Sequence, residues 1–526
     1  MVPSGIKRER GAAGSAHAAA APATVSGEPS ALKPLGRGLG RWRVWRRPAS
    51  QETGHPLVVT RERAGRGVPA GRAHFLGGRG RLAGDGSRCC RERTALSAEP
   101  PAEPPEFREL RPVKRGWCPD LLHPMPTGDG LLVRLHPPLG RLTGRQLQAI
   151  AAAARSCGNG LLDVSSRGNL QIRGVIAHSH PALVEQLADA GVAGPGPRRT
   201  IVSPLAGLDP IDHVDAAALA VRVEAALRTV EGLPGKLAIG IDGGGQFPIV
   251  ELDAEIYAVA VSGGTIAVGF AAEDGPCWCG TTSPTALPSA LAAMLAGFDE
   301  VVGNGMRDAP EHLRAKLADI AQLGPPIVPT QRPRAPRAGR LPMPGRRASV
   351  VLPLPFGRCD ADQLARIASW AERFGGAEVR LSPWRGIVFP TVPEKDLAVL
   401  IALATDAGLI TEPADPRLAV FACPGMPDCA NASIMTRRDA ARLAAAARLL
   451  LQTGSQIHVS GCGKGCAHPG RAALTLVGHN GAYGVVVEGT PRDPAVGHLS
   501  IDDIERRLLS VATHADLASW FPAAKP

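Results

Sequence analysis

The sequence predicts an α+β protein in which one half-domain is present twice, each copy followed by a larger lobe. Three observations lead there. A stretch of sequence recurs at a fixed offset, each copy carries a strand, helix and hairpin pattern, and the last lobe holds two glycine-wrapped cysteine pairs.

The repeat joins "LLVRLHPPLGRLTGRQLQAIAAAARSCGNGLLDVSSRGNLQIRGV" (131–175) to "SVVLPLPFGRCDADQLARIASWAERFGGAEVRLSPWRGIVFPTV" (349–392). Gly140, Arg141, Gln146, Leu147, Ile150, Ala151 and Gly158 return 217 residues later as Gly357, Arg358, Gln363, Leu364, Ile367, Ala368 and Gly375. One inserted residue later, Arg167-Gly168 matches Arg385-Gly386. Each copy reads as strand, turn, amphipathic helix, strand, turn, strand, with a further helix near 181–191 or 394–407. Thr143 and Asp360 stand where N-caps belong, and glycines at 158, 160, 375 and 376 close the helices. Strands alternating with helices and local hairpins point to a ferredoxin-like half-domain.

Along the chain, residues 1–108 are expected to be a disordered basic tail or an upstream extension from a mis-called start. Residues 1–115 hold 22 Lys+Arg against 10 Asp+Glu, and the other 411 residues hold 37 against 38. The +11 net charge is therefore local to a Gly, Pro, Ala and Arg-rich segment without apolar period, and it does not indicate nucleic-acid binding. The first half-domain is expected over 109–194, its lobe over 195–323, a Pro/Arg linker over 324–347, the second half-domain over 348–412 and the last lobe over 413–523. The resulting pseudo-two-fold body offers a cleft between its halves. "GAAGSAHAAAAPA" lacks the Leu/Ile/Val core of a signal peptide, and the most apolar helical run, "ARLAAAARLLL", is interrupted by arginines. A cytoplasmic protein without membrane association is expected, and in that reducing compartment clustered cysteines bind metal or do redox work more often than they form disulfides.

Of eleven cysteines, Cys423 and Cys429 are spaced C-x5-C in "FACPGMPDCANAS", and Cys462 and Cys466 are spaced C-x3-C in "VSGCGKGCAHP". Each pair lies in a loop after a strand-like segment, so four soft thiolates can converge. Glycines at 461, 463 and 465 let the backbone approach a bulky inorganic group. Structural zinc sites favour two-residue knuckles, which neither spacing supplies. A 4Fe-4S cluster with four cysteine ligands fits better. Cys277 and Cys279, Cys89 and Cys90, and the single Cys118, Cys157 and Cys359 are read as structural or incidental, the last two at helix ends.

With these motifs in place, residues 111–523 resemble the nitrite and sulfite reductase family, whose core is a duplicated half-domain with two cofactor-binding lobes. The resemblance implies two sirohaem/Fe-S-type α/β lobes, with Cys423, Cys429, Cys462 and Cys466 ligating a 4Fe-4S cluster. Within the family, "RGWCPDLLHPMPTGDGLLVRL", "SSRGNLQIRGV", "SPLAGLDP", "LPFGR", "LSPWRG", "CPGMPDCANAS" and "SGCGKGCAHPG" are most similar to the branch that oxygenates precorrin-3A to precorrin-3B in aerobic cobalamin biosynthesis.

That branch implies a precorrin substrate, O2 and an external electron donor, NAD(P)H through a reductase or a ferredoxin. The alternative is a sirohaem-dependent sulfite or nitrite reductase. Against it, "PGKLA" keeps Lys236 but has Ala238 where reductases place a second anion-binding lysine, and Ala473 stands where they usually carry an acid. A precorrin carries many carboxylates, which suit the bidentate fork of arginine. The family pattern falls on Arg134, Arg167, Arg173 and Arg199, with Lys236, as substrate or tetrapyrrole contacts; Arg358 and Arg385 read as structural. A cluster held by four cysteines leaves oxygen activation to a mononuclear non-haem iron or to the substrate itself. His123, His136, His458 and His468 are the candidate iron ligands, each with a plain hydrogen-bonding role as its competing reading.

Overall fold

The computed structural model describes residues 118–520 apart from 193–195, 197, 263, 273–274, 298–310 and 375. The basic tail expected over 1–108, with Cys89 and Cys90, and Gly375 lie outside the described residues. The first copy contains β1 (Met125–Thr127), β2 (Gly130–Leu135), β3 (Arg141–Thr143), α1 (Gly144–Cys157), β4 (Leu161–Val164), β5 (Leu170–Val175) and α2 (His180–Asp189). Its lobe contains β6 (Thr200–Val202), α3 (Ala216–Leu227), β7 (Ile239–Asp242), β8 (Ile256–Val261), β9 (Thr265–Phe270), β10 (Cys277–Thr282), α4 (Leu287–Ala296) and α5 (Glu311–Ile320). The second copy supplies β11 (Gly339–Met343), β12 (Arg347–Pro353), β13 (Arg358–Asp360), α6 (Ala361–Phe374), β14 (Glu378–Ser382), β15 (Gly386–Pro393) and α7 (Leu397–Asp406). The last lobe follows with β16 (Val420–Ala422), α8 (Thr436–Ala446), α9 (Arg448–Gln452), β17 (Ile457–Ser460), β18 (Ala472–His479), β19 (Ala482–Gly489), β20 (Gly497–Leu499), α10 (Ile501–Leu508) and α11 (His514–Ala518).

Local chemistry sets the helix starts. Thr143 Oγ1 accepts the Gln146 N–H at 3.2 Å while Gln146 Oε1 accepts the Thr143 N–H at 3.0 Å. Asp360 and Gln363 repeat this reciprocal cap at 2.7 and 3.0 Å, so the duplication reaches the level of single hydrogen bonds.

The two half-domain sheets exchange a strand. One runs β1-β2-β5-β4-β13 and the other β11-β12-β15-β14-β3, so each copy gives its short third strand to the other copy's sheet. Helices α1 and α6 pack on each other, and Leu147, Ile150 and Ala154 share one buried cluster with Leu364, Ile367 and Ala371. Each such leucine or isoleucine contributes about 1.5–3 kcal/mol of burial, so the halves have one interior between them.

The lobes are also copies. Their sheets run β10-β9-β8-β7-β6 and β16-β17-β18-β19-β20, each with two parallel pairings followed by two antiparallel ones. A shift of 220 carries Thr200 onto Val420 and Ala216 onto Thr436, the starts of β6 and α3 onto those of β16 and α8.

Two local expectations change. The stretch 324–347, expected as a linker, contributes β11 to a sheet, where its Pro342 is tolerated because β11 is an edge strand. Cys359 lies on β13 rather than at the end of a helix.

Candidate iron-sulfur and substrate site

Strands β16 and β17 run parallel with Val420 opposite Ile457 and Ala422 opposite Val459. Their C-terminal ends therefore open side by side, and each releases a cysteine loop there. Parallel strand ends of this kind are the usual place for a ligand in an open α/β sheet. Cys423 is buried, Cys429 and Cys462 are half-buried, Cys466 is exposed, and all four are free thiols. The Gly461 N–H donates to Cys423 Sγ at 3.1 Å, which ties the second loop to the first. Gly425 has φ +70°, and a Cβ there would lie 2.4 Å from Thr436 Oγ1; at Gly461 one would lie 2.7 Å from Ala432 Cβ.

Cys462 and Cys466 feel the charge of the other cysteines of the two loops. Burial pushes the Cys466 thiol up to about 11, with Cys423, Cys462 and Cys429 adding to the rise against Lys464. Burial also raises Cys462, helped by Cys423 and Cys429. Raised thiols such as Cys462 and Cys466 need a compensating cation before they can be thiolates at neutral pH.

Beneath the loops lies a network of charge. Asp428, beside Cys429, pairs with Arg358, while its carbonyl accepts Arg173 Nη2 at 2.7 Å and the Gly128 N–H at 3.2 Å. Asp163 pairs with Arg358 at 2.7 Å, Arg437 at 2.8 Å and Arg173 at 3.6 Å. Burial works to raise the Asp163 carboxyl, but Arg437, Arg358 and Arg173 outweigh it and hold the group well below the usual carboxylate range. Arg385 donates to Ala467 O and lies over Phe421, on which His468 stacks at 4.5 Å. His458 meets His468 edge-on at 5.8 Å; neither of its buried ring nitrogens has a partner, and burial, then His468 and Arg385, pull it down to about 3.

The predicted cations divide. Arg167 Nη1 donates to Lys236 O at 2.7 Å, and Arg199 Nη1 donates to Pro234 O at 2.6 Å, so both converge on one segment before β7. Arg134, on β2, meets the Cys118 thiol and feels Arg167; its buried Nε has no partner. Burial lowers Arg134 below its usual value, Cys118 opposes this and Arg167 adds to it. Burial lowers Arg199 below its usual value, with Glu224 and then Cys118 opposing. On the Cys118 side a cavity of 550 Å³ is lined by Cys118, Asp120, Leu122, His123 and Pro124, and by none of these arginines. The Lys236 side chain is exposed.

Arg173 departs from its expected role. It is 2% exposed, and its fork is taken by Asp129 at 2.8 and 3.0 Å, by Asp163 and by the Asp428 carbonyl. An apolar strand accepts this arginine because carboxylates meet it inside, so it braces the cysteine loop and presents nothing to a substrate.

Residues 123–190 and 342–407 match the nitrite/sulfite reductase ferredoxin-like half domain. The precorrin-3B synthase of Sinorhizobium sp is 34% identical over 398 residues, spanning 72% of this chain and 83% of the relative. The chain belongs to the precorrin-3B synthase branch of the nitrite/sulfite reductase family. Members of this family are oxidoreductases. The ferredoxin–nitrite reductase of Synechococcus elongatus is a more distant member, 27% identical over 399 residues, 67% of this chain and 77% of the relative. The Mycobacterium tuberculosis NirA structure shares the fold, with TM-score 0.58 and 19% identity over 72% of this chain and 79% of its own.

Against the cofactors expected for the family, the residues present fit a multi-iron cluster. Four free thiols stand on neighbouring loops, a backbone N–H points at one sulfur, and Gly425 and Gly461 let those loops pack where a Cβ would meet Thr436 or Ala432. Among the described residues no three His, Cys, Asp or Glu side chains are grouped to hold a single metal ion. The histidines expected to serve a mononuclear iron fall in two places: His123 lies on Asp120 in an exposed turn and His136 bonds Pro119 O at 3.1 Å, while His458 and His468 meet each other beside the cysteine loops.

Several site residues escape a reading of the sequence. Asp163, Asp428 and Arg437 had no periodicity to mark them, although Asp428 lies between two predicted ligands. Cys118, incidental by its spacing, interacts with Arg134 and Arg199. The shift of 220 puts Ser203 and Asp209 where the last lobe has Cys423 and Cys429, so the first lobe lacks both thiolates. No helix among the described residues is long and apolar enough to cross a membrane.

Proposed function

We propose that the protein is a monooxygenase that converts precorrin-3A to precorrin-3B in aerobic cobalamin biosynthesis. The observation that carries this reading is the 34% identity to a precorrin-3B synthase across 83% of that enzyme. In this reading Cys423, Cys429, Cys462 and Cys466 hold a 4Fe-4S cluster, which supplies single electrons drawn from an external donor, NAD(P)H through a reductase or a ferredoxin. Arg134, Arg167 and Arg199, with Lys236, receive the acetate and propionate groups of the substrate as charge-assisted pairs. The partnerless Nε of Arg134 supports that assignment, because a buried N–H without acceptor is costly until a carboxylate arrives. Arg173, Arg358 and Asp428 hold the first cysteine loop in place. One oxygen atom of O2 enters the product, and the other leaves as water with two electrons and two protons. The reaction is placed in the cytoplasm, with no nucleic-acid or membrane partner. A mononuclear non-haem iron stays outside the proposal, since its candidate ligands are not grouped.

A second reading, a sirohaem-dependent nitrite or sulfite reductase, draws on the Synechococcus relative. Ala238, in place of a second lysine, disfavours it. The test is incubation with precorrin-3A, a reductant and ¹⁸O-labelled O2, followed by mass analysis. One labelled oxygen in the product is expected. An unlabelled product, or purified protein carrying sirohaem and reducing nitrite or sulfite, overturns the proposal.

A further inference from the structure

Arg358 and Asp163 face each other across β13 and β4, and Arg380 and Arg141 face each other in the same way across β14 and β3. These pairs are pseudo-two-fold copies, with Arg141 matching Arg358 at the repeat offset. In one copy, Arg358 is met by two carboxylates, Asp163 and Asp428. In the other, both acids are missing. Arg380 stands in place of Asp163, and the shift of 220 that aligns the lobes puts Leu208 in place of Asp428.

A cavity of 380 Å³ opens at that spot. Arg141 and Arg380 line it, together with apolar Leu139, Leu208 and Val221. Arg380 is balanced by Glu378 at 2.9 Å and donates to Pro204 O and Ala206 O at 3.0 and 2.9 Å. Arg141 has no such balance. Its side-chain hydrogen bond is Nη2 to Ala206 O at a long 3.4 Å, and its buried Nε has no partner. Asp215, also on the wall, caps α3 by accepting the N–H groups of Ala217 and Ala218 on Oδ1, each at 3.0 Å.

We propose that this cavity binds an anion, a carboxylate borne on a small apolar body, which supplies to Arg141 the counter-charge that Asp428 and Asp163 supply to Arg358. Guanidinium forks bind carboxylate in a bidentate way, and the leucine and valine wall favours an apolar remainder over an inorganic oxyanion. The cavity shares no lining residue with the Cys118 cavity and includes none of the four cysteines, and the proposal stands whether or not the proposed reaction does.

The test is calorimetric titration of the full-length protein with isobutyrate, isobutyramide and inorganic phosphate. Saturable binding of isobutyrate, with isobutyramide silent and phosphate weaker, is expected. R141M is expected to weaken isobutyrate by about tenfold or more, the loss of one charged hydrogen-bonding partner. L208D restores the acid found in the other copy, so it is expected to block isobutyrate and raise Tm. Equal binding of isobutyrate and isobutyramide, tighter binding of phosphate, or unchanged affinity in R141M overturns the proposal. Should R141M fail to fold, unchanged isobutyrate binding in L208D does the same.

Discussion

Asp163 and Arg358 are cross-strand partners on β4 and β13, joined at Nε–Oδ1 2.7 Å and Nη2–Oδ2 3.0 Å. The pair is 195 residues apart in sequence and closes the seam where one half-domain lends its strand to the other. Because Arg358 also grips Asp428, the seam and the first cysteine loop share one brace.

Removing the acid at the centre of that brace should be costly. Asp163→Asn leaves Arg173, Arg358 and Arg437 buried with less counter-charge, and a loss of about 3–5 kcal/mol in chemical denaturation is expected. The pH dependence has a definite sign. The folded carboxyl is depressed, so its contribution is fully present above the unfolded value of about 4 and is lost as pH falls below it. Wild-type stability should therefore drop in acid more steeply than that of Asp163→Asn, measured by denaturant midpoint across pH 3–7.

Cys429→Ser should abolish the EPR signal of the reduced cluster under anaerobic purification, while Cys277→Ser leaves it intact. An unchanged signal in Cys429→Ser would remove this cysteine from the ligand set.

Arg134 and Arg173 should separate in their effects. Arg134→Met is expected to raise KM for the precorrin about tenfold or more with the cluster spectrum unchanged. Arg173→Met, which removes the guanidinium from Asp129, Asp163 and the Asp428 carbonyl, should lower Tm and cluster content instead. Steady-state kinetics beside iron analysis distinguishes the two.

Asp212 in the first lobe is raised to about 7 by burial first, then by Asp209 and Asp242, with Arg332 opposing. A raised acid favours the folded state while protonated, so its contribution is present below about pH 4 and lost as pH rises through 7. Asp212→Asn should then raise stability at pH 8 by about 1 kcal/mol after solvent screening, seen as an upward shift in Tm.

The helices and the cysteine loops were legible in the sequence because their causes are close together in the chain. Thr143 with Gln146 and Asp360 with Gln363 are caps three residues long, and C-x5-C and C-x3-C each lie within one loop. The role of Arg173 was not legible. An arginine in an apolar strand reads the same whether it awaits a ligand or meets an acid, and its partners Asp129 and Asp428 lie 44 and 255 residues away. The strand within 324–347 is hidden for a related reason: composition rich in Pro and Arg masks β11, whose strand character comes from pairing with β12.

By itself the amino-acid order determined the duplication, the helix boundaries and which loops carry soft donors, since hydrophobic period and short-range hydrogen bonds act between neighbours. Only the tertiary structure decided that β3 and β13 trade places, that the lobes are copies as well, and that Arg358 is matched by acids while Arg141 is not. Those outcomes depend on burial and charge pairing between segments far apart in the chain, where no local spacing records which groups will meet.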